Sequence, residues 1–252
     1  MGTFRLAALW GDEHNELGEI AVADLPPDAA VALSRGKFPK GYPHLDPNED
    51  AVLAATDGSA WLLAVADGHN GFDVARAAMT ALQATAPATL AGAIKDSEAA
   101  LWAGLTLVGE AVTEALAQVP EDRAASATAL TVALVAEGHL TVLTLGDTAA
   151  VLVRDGRARR IGGPTRFLRP GADLADAGID RADLQPGDTV VVASDGLFDF
   201  LGRSSTRVLA RLAAQHQEDP AGLAGAAVEQ AFSGGAGDNV AVALFCDACP
   251  TG

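Results

Sequence analysis

The sequence predicts an α+β fold built on antiparallel sheets, and three observations carry that reading. Apolar, β-branched runs fill residues 127–163 and are broken at Glu137-Gly138 and Asp155-Gly156, dipeptides suited to tight hairpin turns. Ala-rich stretches with helical spacing stand apart from them, at 72–86, 97–119, about 206–217 and 220–232. Strands and helices therefore come in blocks rather than in strict alternation, which disfavours a doubly wound parallel sheet.

In chain order, AVLAATDGSAWLLAVAD (51–67) reads as two short strands joined through Asp57-Gly58, the second ending on Asp67. After Gly71 a helix begins, with Asp73 placed to favour its N-terminus and Val74, Ala78 and Leu82 on one face. Residues 97–119 read as a second helix capped by Ser97. Residues 127–163 read as a meander of antiparallel strands. TVVVASD (189–195) is a further buried strand, and after the two C-terminal helices NVAVALF (239–245) is the last.

The chain of 252 residues, 49% hydrophobic, is long enough for a sizeable core, and no Ser/Gly/Pro linker divides it. One domain over 1–252 is expected. The formal charge of −16 repels a phosphate backbone, which argues against nucleic acid or an anionic membrane as the main partner. No basic region followed by a long apolar segment opens the sequence, so a soluble cytoplasmic protein is expected. The only cysteines, Cys246 and Cys249, form a CxxC at the C-terminus, where no second pair completes a zinc site; incidental thiols are expected.

Two segments echo each other: LLAVADGHNGFD and VVVASDGLFD each run an apolar strand into Asp-Gly with a second Asp after it. Strands that each deliver an Asp-Gly from their ends can bring the carboxylates together. The other acidic residues adjoining predicted strands are Glu49 and Asp50 in NEDA, Asp147 in GDT and Asp238 in GDNV. Carboxylates converging without basic partners repel one another, and hard divalent cations are the usual compensation. Asp57 and Asp155, each in the middle of a hairpin, read instead as ordinary turn residues.

NEDA, LLAVADGHNG, SATALTVAL, LTLGDTAAVLV, VVVASDGLFDFL and GDNVAVALF, in that order over about residues 48–245, resemble the motif series of the PP2C (PPM) serine/threonine phosphatases. The resemblance implies a central β-sandwich of two antiparallel sheets flanked by helices, with metals at one edge. It implies hydrolysis of phosphoserine and phosphothreonine on protein substrates, by a hydroxide held between two metals attacking phosphorus. By the same resemblance Asp67 bridges the metals and Gly68 offers its carbonyl. Asp195 and Asp238 complete the first shell, Glu49 and Asp50 hold waters or reach a metal, and Asp147 serves a weaker third ion. Oxygen ligands favour Mg2+ or Mn2+ over zinc.

His69, directly after Asp67-Gly68, matches the family's general acid, and an imidazole suits that task near neutral pH. His14, His139 and His216 read as surface or structural residues, and His44 lies just before NEDA. No GxxxxGK[ST] is present, which excludes a Walker-type phosphate site. Two positions depart from the family pattern: Asn70 stands where Gly is usual, and Leu45 stands where the phosphate-binding Arg is usual. Lys37, Lys40 and Arg35 are the nearest substitutes, with Arg166 and Arg169 next. A PP2C-like binding or regulatory module without catalysis is the alternative; a two-metal nuclease is disfavoured by charge and motif order.

Overall fold

Apolar runs without polar alternation require strands buried on both faces, and the structure meets that requirement with two stacked sheets. The computed structural model of the chain describes residues 3–247. Sheet I contains β1 (Arg5–Trp10), β4 (Ala51–Thr56), β5 (Ala60–His69), β6 (Ala127–Ala136), β7 (His139–Leu145) and β10 (Gly178–Asp183), in the order β1-β4-β5-β6-β7-β10. Sheet II contains β2 (Ala21–Leu25), β3 (Ala29–Ser34), β8 (Ala149–Arg154), β9 (Arg157–Ile161), β11 (Thr189–Ala193) and β12 (Val240–Cys246), in the order β2-β3-β12-β11-β8-β9. Every pairing is antiparallel.

Along β5, Trp61, Leu63 and Val65 face sheet II, while Leu62, Ala64 and Ala66 face the helix α1 (Asp73–Leu116). Along β12, Ala241, Ala243 and Phe245 join the layer between the sheets. Val240, Val242 and Leu244 meet the other helical layer, formed by α2 (Asp195–Leu201), α3 (Ser205–Gln215) and α4 (Pro220–Ser233). The result is an α-β-β-α sandwich. Each fully buried Leu or Val contributes about 1.5–3 kcal/mol, so three apolar layers hold the strand ends that carry the acidic residues.

Several elements differ in detail from the sequence reading. The stretch 73–116 holds two helical segments, as read, which meet at Asp96, whose backbone is extended (φ −158°, ψ 98°). Asp96, not Ser97, caps the second segment: its Oδ1 accepts from the Ala99 amide at 3.0 Å, whereas the Ser97 hydroxyl turns back to the Ala93 carbonyl. α1 has the length and composition of a membrane-crossing helix, yet its apolar face, including Val74, Met79, Leu90, Leu105 and Val112, packs on sheet I.

The meander is split between the sheets. β6 and β7 pair in sheet I, β8 and β9 in sheet II, and the chain crosses at Gly146-Asp147-Thr148. Gly146 makes that crossing possible: its φ is +80°, and a Cβ there would lie 2.4 Å from the Cβ of Ala129. Asp57 and Asp155 are turn residues, as read. Asp57 accepts from the Ser59 and Ala60 amides, and Asp155 and Gly156 both have positive φ. Strands β1, β2, β3 and β10 and the short α2 were not anticipated. Cys246 is buried in β12, where burial pushes its thiol up to about 11, and Cys249 lies outside the described residues.

Candidate functional site

Two glycines bring four of the five acidic motifs together. A Cβ at Gly68 would lie 2.4 Å from the Glu49 carbonyl oxygen, so the Asp67-Gly68 end of β5 rests against the backbone of NED. A Cβ at Gly196 would lie 1.9 Å from the Asn239 carbonyl oxygen, so the start of α2 rests against GDN. Asn239 joins the two halves: its Oδ1 accepts from the Glu49 amide, and its Nδ2 donates to the Arg35 and Pro47 carbonyls. Substituting Gly196 by Ala overpacks this contact against backbone that cannot yield. Unfolding experiments on Gly196→Ala are expected to show a loss of about 1–3 kcal/mol, with Gly163→Ala, where nothing lies within 4 Å of the added Cβ, as the silent control.

The carboxylates of Glu49, Asp50, Asp67, Asp147, Asp195 and Asp238 converge at this edge of the sandwich. Glu49 and Asp50 are 2% exposed and Asp67 6%. Burial pushes the Asp67 carboxyl well above the ordinary range, and the charges of Asp50 and Asp195 add to the effect, Asp195 being close enough to share a hydrogen bond with it. Burial also raises Asp195, with Asp147 the next cause. Asp50 is pushed up to about 8 by burial, against the opposing pull of Lys40. Among the described residues, Asp50 Oδ2 and Asp147 Oδ1 are buried without any hydrogen-bond partner. Crowded, desolvated carboxylates with oxygens to spare suit hard divalent cations, so the donor set fits Mg2+ or Mn2+.

His69 stands at the rim. Its Nε2 is buried 3.7 Å from Asp67 Oδ1 and has no hydrogen-bond partner among the described residues, while its side chain is 35% exposed. The ring is held edge-on by Phe167, with centroids 4.6 Å apart. Phe167 is in turn held by a two-stranded bridge between Thr128 and Leu168, Thr128 also donating its hydroxyl to the Asp67 carbonyl. Asn70, where the family usually has Gly, adopts φ +57°, the left-handed conformation that Asn tolerates. His44 is exposed, with its Nδ1 3.0 Å from the Tyr42 carbonyl.

Of the basic candidates, the structure brings only Lys40 to the cluster. Its Nζ lies 3.1 Å from Glu49 Oε2 and 3.5 Å from Asp238 Oδ1, with 3% of the side chain exposed. Arg35 donates to the Asn15 carbonyl, and Lys37 projects over the ring of its neighbour Phe38. Arg166 pairs with Asp176 in solvent, and Arg169 lies along the groove beside α1. Leu45 is 47% exposed.

Arg123 escaped sequence reasoning. It bonds both Asp46 and Asp73 and stacks on Phe72, fixing the segment that leads into NED against the start of α1. Asp46 and Gly71 then both donate their amides to Glu49 Oε1. No signal in the sequence marks Arg123, which sits in a polar turn three residues before the SATALTVAL motif.

Residues 44–226, well over half of the chain, match the family described as protein phosphatase 2C. The chain belongs to the protein phosphatase 2C family. Solved structures of the same fold include the serine/threonine phosphatase PstP/Ppp of Mycobacterium tuberculosis, 22% identical, with a TM-score of 0.68 over 91% of this chain and 99% of that one. The PPM Ser-Thr phosphatase MsPP of Mycobacterium smegmatis, solved with cacodylate, is 25% identical, with a TM-score of 0.63 over 86% and 97% of the two chains. A bacterial serine phosphatase reaches a TM-score of 0.71 at 16% identity, over 90% and 100%. The catalytic domain of PstP has also been solved with two manganese ions. No curated protein sequence matches the chain significantly. As a protein phosphatase 2C, the chain has the α+β architecture expected from its motif order.

Proposed function

We propose that the chain is a cytoplasmic Mg2+- or Mn2+-dependent phosphatase, one domain throughout, that hydrolyses phosphoserine and phosphothreonine on protein substrates. The observation that supports it most is the convergence of six carboxylates, two of them with buried oxygens that have no partner. Asp67, Asp195 and Asp238 are the candidates to ligate a pair of cations, with the Gly68 carbonyl. Glu49 and Asp50 would hold water or reach a cation, and Asp147 would serve a weaker third. Bound there, the cations would activate water and neutralise charge on the phosphoryl oxygens.

The remaining work falls to the protein's own groups. A serine or threonine alkoxide leaves poorly, and His69, partly exposed at the rim with a buried Nε2 that has no hydrogen-bond partner among the described residues, is placed to hand it a proton. Phe167 fixes the imidazole plane, which limits the directions that proton can take. The net charge of −16 keeps nucleic acids and anionic membranes away from the cleft.

One observation favours a second reading, a PP2C-like module without turnover: Leu45 stands exposed at the usual Arg position, and Lys40 is engaged by carboxylates. Hydrolysis of p-nitrophenyl phosphate separates the two. Turnover with Mn2+ that stops in excess chelator is expected; Mn2+ binding with no turnover on any phosphoester would establish the silent module instead.

A further inference from the structure

The chain carries its own cation inside the acidic centre. Lys side chains are almost never fully buried unless paired, and Lys40 is sequestered between Glu49 and Asp238 with Asp50 the charge that acts on it most strongly. Tyr42, two residues on, donates its hydroxyl to the Asp238 carboxylate, 2.8 Å from Oδ2, and its ring lies 5.6 Å from the Lys40 ammonium. Together the two side chains engage Asp238 from one side while Lys40 alone engages Glu49.

Both side chains come from a strap without regular secondary structure, residues 35–47, fastened at its ends. At one end the Lys37 and Phe38 amides donate to the Ala236 carbonyl, and Gly36, at φ +106°, passes so close that a Cβ would lie 2.4 Å from the Asp238 carbonyl oxygen. At the other end Arg123 holds Asp46. Phe38, at the first fastening, and Tyr42, between the two, keep about half of their surface in solvent. The middle of the strap is therefore held down chiefly by the contacts of Lys40 and Tyr42 with the carboxylates.

A divalent cation binds carboxylate oxygens at about 2.0–2.6 Å, and an ammonium hydrogen-bonded to those same oxygens would stand within a few ångströms of it. Like charges at that separation, away from bulk water, repel strongly. We propose that Lys40 and a divalent cation compete for Glu49 and Asp238, so that the Lys40–Tyr42 part of the strap is a built-in competitor that metal binding displaces. This rests on the reading of Glu49 and Asp238 as metal-site residues, and it makes the metal affinity of this chain a property of its strap.

Two measurements test it without turnover. In the first, free Mn2+ is followed by electron paramagnetic resonance during titration of the full chain and of Lys40→Met, which keeps the length of the side chain and removes its charge. The variant is expected to bind Mn2+ about tenfold more tightly or better, within the range usual for coupled binding equilibria. In the second, lysines of the unaltered protein are acetylated and mapped by mass spectrometry. Lys40 is expected to resist the reagent in chelator and to react with Mn2+ at saturation, with exposed Lys37 and Lys95 reacting in both. Unchanged or weaker Mn2+ affinity in a folded Lys40→Met overturns the inference, and so does a Lys40 still protected at saturating Mn2+. The acetylation arm decides the matter alone if the variant does not fold. A chain that binds Mn2+ and shows both effects without turnover would lose the phosphatase reading and keep this one. An active phosphatase with neither effect would do the reverse, and failure of both the parent and the variant to bind Mn2+ would end both.

Discussion

Asp67→Asn and Asp195→Asn are each expected to lower metal-dependent turnover at least roughly 10²–10³-fold, the scale lost when one transition-state-stabilising group is removed. The substitution keeps the shape of the side chain and removes the anionic oxygen that a cation needs. Neither variant should unfold. Burial and neighbouring charges raise both carboxyls above the usual range. A group raised on folding stabilises the fold while protonated, below its unfolded pKa, and loses that contribution as pH rises through its folded pKa. At pH 8 in chelator a neutral Asn therefore removes a cost, and the thermal midpoint of Asp67→Asn should equal or exceed that of the parent. Asp57→Asn, which touches only its hairpin, should leave turnover unchanged. Full activity of Asp67→Asn with Mn2+, or of the parent in excess chelator, would falsify the metal-dependent mechanism.

What could be read in advance follows from how each residue is constrained. Strands β5, β6, β11 and β12 lie between two apolar layers, so their composition alone announces them. An Asp at the end of such a run is conspicuous because burying it is costly. The glycine after it could be read as a place of close backbone approach, and Gly68 and Gly196 do lie against Glu49 and Asn239. The edge strand β1 leaves Arg5 exposed and Leu6, Ala8, Leu9 and Trp10 half-buried, too weak a pattern to separate from a loop. β3 is fully buried, but only six residues long and half Ala. The crossing between sheets at Gly146 depends on a contact with Ala129, which hydrophobic pattern does not encode.

The polar groups that fix the site were hidden for a different reason. Tyr42 bonds Asp238 across 196 positions of the chain, and Asn239 bonds Glu49 across 190. Arg123 reaches Asp46 across 77. Such bonds are set by tertiary placement, which short-range spacing does not report. The basic candidates show the same limit: adjacency to NED singled out Arg35, Lys37 and Lys40 equally, and the fold turns only Lys40 inward.

His69→Ala is expected to slow phosphoserine and phosphothreonine peptides by roughly 10²–10⁴-fold, the usual contribution of a positioned general acid, while aryl phosphates lose only severalfold. The difference arises at the leaving group. An aryl oxide departs without a proton, whereas a serine alkoxide must be protonated as its bond to phosphorus breaks, so loss of the acid falls chiefly on the peptide. Geometry supports this role: Nε2 has no hydrogen-bond partner, the ring is partly open to solvent, and Phe167 holds its plane. One competing role can be separated in the same experiment. Ligand atoms of Asp67, His69 and Asp147 all lie within 4.8 Å of one another, a spacing that would also let His69 hold a cation. As an acid, His69 can be removed without changing Mn2+ affinity, and activity on phosphopeptides should fall while binding persists. As a ligand, its removal would weaken Mn2+ binding and slow both substrates together. Equal losses on the two substrates with Mn2+ affinity reduced would therefore reassign His69 from proton donor to metal ligand.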